Sequence, residues 1–501
     1  MRKSERYRSI VDQRRILLRD FGWLADLYMI DFFVENHWNR LPSSWREAFE
    51  NLKPYDWWAI LNSVQEPINR THVLPLSFIC FRYSIELVSL RRRAVDGLKQ
   101  VAEVCGIEDH DLPDCFPSFE KCNDLRMKVK SKKRHEIERI VHTVEILRRG
   151  TSPSFDEVLD IGAGMGHLSR QIAFCFGRSS NRLRVTTIDA DEELVRKSAK
   201  LDFMLTQRRL PRRKDKTEIV EDMSIEMPGR NAFFVEPGKE LNGIDQKAGN
   251  TTKCVIGVHT CGDLAVSVIQ EFVADPTARV LLHFGCCYHK LNGGQDRRFI
   301  ECCSDEAPSV GVIPNGKEFG FPLSDTYADF SLSYAKRELS CHAIEIFQQR
   351  LLDEQSVNDF RKQCFRSVLE WLIVEASRRK DQSRVERNIR HMRLRHVKAR
   401  HLNCFWDYFK ATLNDKKQLI EGINAMLEED PLMRMEVDGM ISQWRRILAI
   451  YTIRLIVAKL TETVILEDRR CCLMERGYNA HLVALFDPKI SARNIALICI
   501  K

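Results

Sequence analysis

The sequence predicts an α/β protein: an open, Rossmann-like parallel sheet, preceded by an N-terminal helical domain and interrupted by a large helical insertion before a C-terminal β-hairpin. Three observations lead there. The apolar run Val158-Leu159-Asp160-Ile161 ends in the glycine-rich turn Gly162-Ala163-Gly164-Met165-Gly166 and passes into the helical pattern LSRQIAFCF, 168–176, which is how a parallel strand hands over to a nucleotide-binding loop. From residue 151 onward, short apolar strands alternate with helical patterns, the rhythm of βαβ units. The chain closes on two apolar runs, 481–486 and 494–500, joined by a polar loop with Asp487-Pro488, which reads as a hairpin.

Residues from about 10 to 105 read as helices. Leu17, Phe21, Leu24, Leu27 and Tyr28 recur at helical spacing, and Leu41-Pro42-Ser43-Ser44-Trp45 is a stop and restart with Ser43 or Ser44 as the N-cap. Trp23, Trp38, Trp45, Trp57 and Trp58 are assigned to packing, because tryptophans at this spacing are usually core. The helical domain is bounded at 1–125. The sheet domain follows at 126–338. It opens with a basic stretch that becomes amphipathic through Ile137, Ile140, Val141, Val144 and Leu147, and this helix would carry Lys132, Lys133, His135 and Glu136 to the mouth of the glycine-loop crevice.

The second strand, Leu183 to Asp189, ends in an acid. Residues about 201–250 depart from the rhythm: RRLPRRKDK (208–216) and a Gly/Asn-rich run surround one strand, Ala232 to Val235, and are read as a basic, exposed insertion. Two further strands, Cys254 to Val258 and Arg279 to Phe284, are followed by a loop-rich stretch in which Gly320-Phe321-Pro322-Leu323-Ser324 forms a lid or wall. Residues 339–470 are a basic helical insertion, and 471–501 are the hairpin that completes the sheet. The closing strand is expected to lie antiparallel beside the fifth.

Composition narrows the class. The chain has 44% hydrophobic and 30% charged residues and no apolar run near the length of a membrane span. The seventeen cysteines include no CxxC pair and follow an N-terminus without an apolar signal region, so reduced thiols in cytoplasm and/or nucleus are expected. The net charge of +8 is concentrated between Arg378 and His401, where ten Lys/Arg face two acids. With Phe405, Trp406, Tyr408 and Phe409 close behind, Arg390, Arg393 and Arg395 together with Lys133 are candidates for RNA contact. A solvated face or an acidic protein partner is the alternative.

The chemistry gathers at strand ends, where open α/β sheets bind ligands. Asp160 distinguishes this loop from a dinucleotide loop, which keeps that region free of charge for a pyrophosphate. An acid suits a ligand with an amino group or sulfonium, so S-adenosylmethionine is read before NAD. Gly162, Ala163, Gly164 and Gly166 form the turn, and Asp189, about 20 residues on, is placed to accept from both ribose hydroxyls. The ends of the next two strands are His259-Thr260-Cys261-Gly262-Asp263 and Gly285-Cys286-Cys287-Tyr288-His289. His259, Cys261 and Gly262 would border the cofactor. His259, Cys287, Tyr288 and His289 are the catalytic candidates, a histidine as base and Tyr288 as wall or orienter. Asp263 would be an N-cap. Zinc on His259, Cys261, Cys286, Cys287 and His289 is the alternative, but no metal is expected, since adjacent cysteines chelate poorly compared with a CxxC hairpin.

DIGAGMGHLSR (160–170), GVHTCGDLA (257–265), FGCCYHKL (284–291), GFPLS (320–324), YAKRELSCHAIE (334–345) and LFDPKISARNIALICIK (485–501) resemble the methyltransferase-like protein 25 family. HWNRLPSSWREAFE (37–50) resembles its ribosomal RNA adenine dimethylase domain-containing branch. The resemblance implies a class I S-adenosylmethionine-dependent methyltransferase fold. The branch name implies adenine N6 as acceptor, yet His259-Thr260-Cys261-Gly262 stands where such enzymes carry Asn/Asp-Pro-Pro-Tyr to hold a flipped base. These segments look more like the tRNA 2′-O-methyltransferases, which makes an RNA hydroxyl or another acceptor the better expectation. The alternative function is a non-catalytic, S-adenosylmethionine-binding adaptor that reaches RNA or a protein through its basic helices.

Overall fold

The structure, a computed structural model, describes residues 3–62, 72–109, 111–117, 129–176, 182–209, 227–236, 251–294, 319–380, 391–392, 394–395 and 397–501. Its strands are β1 (Glu157–Ile161), β2 (Arg184–Asp189), β3 (Gly229–Ala232), β4 (Lys253–Cys261), β5 (Ala278–Cys286), β6 (Asn479–Ala484) and β7 (Ile495–Ile500). They form one sheet in the order β3-β2-β1-β4-β5-β7-β6. The first five run parallel, and β7 pairs antiparallel with β5, leaving β6 at the edge. The closing hairpin therefore completes the sheet in the expected orientation.

Side chains on the central strands alternate between two apolar layers, as the two-residue period of a strand requires. Val158, Cys254, Ile256, Val280, Leu282 and Phe284 enter one layer, and Leu159, Ile161, Val255 and Leu281 the other. On the first face lies helix α1 (Ser131–Gly150), whose Ile137, Ile140, Val141, Val144 and Leu147 are buried as their spacing predicts. Helices α2 (His167–Phe176) and α3 (Glu192–Arg209) follow β1 and β2, and α4 (Leu264–Ala274) covers the second face with Val268, Ile269 and Phe272. Each fully buried aliphatic or aromatic side chain contributes about 1.5–3 kcal/mol.

The differences from the expected bounds have local causes. β3 is Gly229–Ala232, three residues earlier than the expected Ala232–Val235, because its register is set by parallel pairing with Thr186–Asp189. β4 and β5 continue through Thr260↔Gly285 and Cys261↔Cys286, so residues expected beyond the strands are inside them. The helix Ser43–Phe49 has Pro42 at its N-cap and no side-chain cap, unlike the Ser43 or Ser44 cap expected. Only Arg208 and Arg209 of RRLPRRKDK fall within the described residues, in α3.

The described residues make two compact units. One, the sheet unit, comprises Arg91–Gly294, 319–331 and Val464–Lys501. The other joins Met1–Leu90 with Leu332–Thr463 around one helical core, in which Phe49, Trp57, Phe78 and Phe81 share a cluster with Phe365, Leu369, Ile450 and Ile453. Trp38, Trp45 and Trp57 are buried there, and Trp23 and Trp58 pack partly buried against it. The early helices thus share a core with much of the 339–470 insertion, while 91–117 and the last turns of helix α5 (Trp444–Met474) belong to the sheet unit. Among the described residues no helix is long and apolar enough to cross a membrane.

Candidate active site

The glycine loop is shaped by backbone that only glycine adopts cheaply: φ is 73° at Gly162, 56° at Gly164 and 63° at Gly166. The amides of Gly162 and Ala163 donate to the Ile188 carbonyl, and Gly164 N–H donates to Asp189 Oδ2 at 2.7 Å. These donors are spent on holding the loop to the end of β2, so the loop offers a ligand clearance rather than amides. A Cβ on Gly164 would meet nothing within 4 Å.

Beneath the loop Asp160 is buried and accepts from the Ser169 hydroxyl. Burial pushes its carboxyl up to about 6, against the pull of Ser169 and Lys133. His167, at the start of α2, is pushed down to about 4 by burial and by Arg170, so it is neutral near pH 7. Arg170 and Arg230 both bind the Asp202 carboxylate, in a cluster whose side chains are at most 7% exposed. Arg230 reaches further: a Cβ on Gly166 would come within 2.0 Å of its Nη1, and that buried nitrogen makes no hydrogen bond among the described residues.

Past the loop, β4 departs from regular pairing at His259, which has φ 59° and is skipped by the β5 register between Val258 and Thr260. Such bulges re-aim a side chain near a site. His259 is 32% exposed, and its Nε2 lies 3.2 Å from Glu136 Oε2, a nearly buried carboxylate on α1. Ser491 Oγ donates to the other oxygen at 2.8 Å, and Lys132 Nζ is 3.6 Å from it. Glu136 keeps its charge despite burial, held below the ordinary range chiefly by His259, with Ser491 and Lys132 adding to it. Because the ionised Glu136 can only accept, the tautomer that satisfies it donates from Nε2 of His259 and leaves Nδ1 as the basic nitrogen.

The thiols of Cys261, Cys286 and Cys287 lie within 4.8 Å of one another, with Cys261 Sγ 3.4 Å from Cys286 Sγ. The contact with the Cys286 thiol pushes Cys261 down to about 6, while Cys286 and Cys287 are pushed up. Behind them Thr260 Oγ1 shares a 2.8 Å hydrogen bond with His283, whose imidazole burial keeps neutral. Tyr288 is buried, with the Arg469 and Arg493 guanidinium carbons 5.5 and 5.3 Å from its ring centre, so it braces the tip from within rather than forming an open wall. His289 is partly buried in the following turn.

Asp263 is not the side-chain N-cap expected of it. It starts α4, but its carboxylate accepts from Asn292 N at 3.0 Å and Gly293 N at 2.8 Å. Asn292 Oδ1 accepts from Gly320 N and Phe321 N, and Asp468 accepts from Leu323 N and Ser324 N. Gly320-Phe321-Pro322-Leu323-Ser324 is thereby tied down as a wall. Gly262, at φ 55°, has no room for a side chain: a Cβ would meet the Lys290 carbonyl oxygen at 2.5 Å. Gly262→Ala is expected to destabilise the sheet unit by roughly 2 kcal/mol or more, measured as accelerated hydrogen exchange in β4 and β5.

Of the residues expected from sequence, Asp160, Gly162, Ala163, Gly164, Gly166 and Asp189 surround one loop, and His259, Cys261, Gly262, Cys287, Tyr288 and His289 lie on the adjoining tips of β4 and β5. Lys133 on α1 faces Asp160 and His167 closely enough to shift both. Arg390 and Arg393 lie outside the described residues, and Arg395 is exposed on the helical unit. Sequence reasoning missed Ser169, Arg230, Asp202, Ser491 and Asp468. Ser169, nine residues after Asp160, had a local signal as a hydroxyl on the first turn of a helix after the loop; the others come from distant segments.

Residues 132–294 match the family model described as a methyltransferase domain. The chain is 26% identical over 254 residues to the probable methyltransferase-like protein 25 of Mus musculus, covering 49% of this chain and 37% of that protein. It is 26% identical over 278 residues to the protein of the same name from Homo sapiens, covering 54% and 40% respectively. The matched stretch thus spans well under half the length of these relatives. A solved structure of the plantazolicin methyltransferase BpumL in complex with SAH aligns with 32% of this chain and 51% of its own at 10% identity and a TM-score of 0.20. The sheet has the strand order of a class I methyltransferase, the fold whose cofactor is S-adenosylmethionine, and the residues fit that cofactor: open space at Gly164, an acid at Asp160 for the cationic end, and the orphaned Arg230 nitrogen for a carboxylate. Over about half its length the chain is thus similar to the methyltransferase-like protein 25 relatives, and residues 132–294 match a methyltransferase domain.

Proposed function

We propose that the protein transfers a methyl group from S-adenosylmethionine to an RNA acceptor, a hydroxyl in preference to adenine N6. The observation that carries the reading is the His259–Glu136 pair, a partly exposed imidazole on the strand tip beside the glycine loop, oriented by a buried carboxylate on α1. When bound, the cofactor supplies an electrophilic methyl on a sulfonium. The chain's part is to align the acceptor and take its proton. Asp189 retains a free lone pair on each carboxylate oxygen for the ribose hydroxyls, and Asp160 and Arg230 receive the charged end. His259 Nδ1 removes the acceptor's proton, and Glu136 stabilises the imidazolium that results. The neutral N6 amine of adenine would also give up a proton on methylation, but no aromatic side chain follows His259-Thr260-Cys261-Gly262 to stack on a flipped base. The basic residues after Arg378 and the net charge of +8 favour a polyanionic substrate.

The experiment is incubation of the full chain with methyl-labelled S-adenosylmethionine and fractionated RNA or protein from cells lacking it. Label in RNA ribose is expected. Label confined to protein, or in adenine N6, refutes the acceptor assignment, and no label in any fraction refutes the transfer.

Asp160 adds a pH dependence. A cationic ligand favours the ionised carboxylate, so cofactor affinity is expected to be level above about pH 6 and to fall below it, by up to about tenfold per unit. Calorimetric titrations between pH 5 and 8 check this, and Asp160→Asn should flatten the profile. The same shift acts oppositely on stability. The folded chain holds this proton more tightly than an unfolded carboxyl near 3.8, so its contribution is fully present below that value and is lost as pH rises through about 6.

A further inference from the structure

We propose that Cys261, Cys286 and Cys287 form a binding site for one zinc ion at the acceptor side of the crevice. Three thiols from two adjacent strand tips lie within 4.8 Å of one another. Tetrahedral zinc with Zn–S bonds of about 2.3 Å sets its sulfurs about 3.8 Å apart, and the 3.4 Å between Cys261 and Cys286 needs only a small opening to reach that spacing. Spacing along the sequence argues against a metal, because Cys286 and Cys287 are adjacent and form no CxxC hairpin. The third thiol comes instead from the neighbouring strand, placed by the pairing Cys261↔Cys286.

The backbone is arranged for this convergence. Adjacent residues of a regular strand point to opposite faces, so Cys286 and Cys287 would diverge. Cys287 instead takes φ 48°, a left-handed conformation costly for a side chain bearing a Cβ, and its sulfur turns back toward the other two. His259 takes φ 59° two residues before Cys261. Cys286 is buried while Cys261 and Cys287 are partly exposed, which leaves one side of the cluster accessible for the ion to enter and for a fourth ligand, a water or an acceptor heteroatom. Binding would release the thiol protons to solvent as the sulfurs coordinate as thiolates. Three protein ligands with an open fourth position is the arrangement of a zinc that touches substrate. The inference stands apart from the methyl-transfer reading, because it needs only the thiols.

The test uses the reduced full chain with Co(II) and Zn(II) alone, with no cofactor or acceptor. One Co(II) per chain is expected, with intense thiolate-to-cobalt absorption in the near ultraviolet that Zn(II) abolishes by displacement. Cys261→Ser and Cys286→Ser should each lower Co(II) affinity at least 100-fold. Because these variants could misfold, a second measurement uses the unmodified sequence: Zn(II) should protect Cys261, Cys286 and Cys287 from alkylation while leaving exposed Cys80 and Cys404 reactive. Absence of the charge-transfer band, protection that spares these three residues, or a Cys261–Cys286 disulfide that excludes metal even under reductant would each overturn the site.

Discussion

His259→Ala is expected to lower methyl transfer by about 100-fold or more, with the loss in kcat rather than in cofactor affinity. The imidazole is held by one carboxylate, and no second described carboxylate is paired with it, so the function passes through that contact. Glu136→Gln keeps the shape but presents an amide that no longer balances an imidazolium, and a loss of about tenfold in kcat is expected. Glu136 is a positioning residue: Glu136→Asp should recover less than the wild-type rate because the shorter side chain opens the 3.2 Å contact. Steady-state rates and cofactor affinities measured on the same preparations separate the two effects. Equal losses in kcat and cofactor affinity for both variants would make the pair a structural tether.

Asp202→Ala should cause the largest loss of stability. Its carboxylate is shared by Arg170 and Arg230, with all three side chains no more than 7% exposed. Removing the anion leaves two buried guanidiniums without a partner charge, which costs about 3–5 kcal/mol. Arg170 also donates to the Met165 carbonyl and to Ser198, so the penalty should spread to the glycine loop. Since the chain has two compact units, a single unfolding transition is a poor measure. Hydrogen exchange in α2 is the direct one, and unchanged protection there would contradict the burial of this cluster. Arg230→Met in the Asp202→Ala background should recover part of the loss by removing one of the stranded charges.

The sheet was legible because its signals are local. An apolar run, three glycines and an acid at fixed spacing encode β1, the loop and α2 within about twenty residues, and the β-hairpin is encoded in its own two apolar runs. The candidate site was legible as far as strand ends could predict its place: Asp160, Asp189, His259 and Cys287 all come from tips that a parallel sheet must gather on one edge. What escaped depends on register and on distant segments. Ser491 reaches Glu136 across 355 positions of sequence, and no local pattern announces that. The metal expectation weighed Cys261, Cys286 and Cys287 by their spacing along the chain, which does not show that the β4–β5 pairing sets Cys261 beside Cys286. Asp263 looked like a cap because it precedes a helix, but the turn at Asn292 offers its carboxylate two amides. Likewise the N-terminal helices appeared to be a domain of their own, although their aromatic residues bury against helices encoded some 300 residues later.

The most direct test of the account is a calorimetric titration of the full chain with S-adenosylhomocysteine, comparing the wild type with Asp189→Ala and Gly164→Arg. Asp189 holds the loop through Gly164 and is the proposed partner of the ribose, while an arginine at 164 would fill the open space above the turn. The account predicts one site per chain in the wild type, at least tenfold weaker binding for Asp189→Ala and none for Gly164→Arg, with circular dichroism unchanged. Undiminished binding by both folded variants would place the cofactor elsewhere and contradict it.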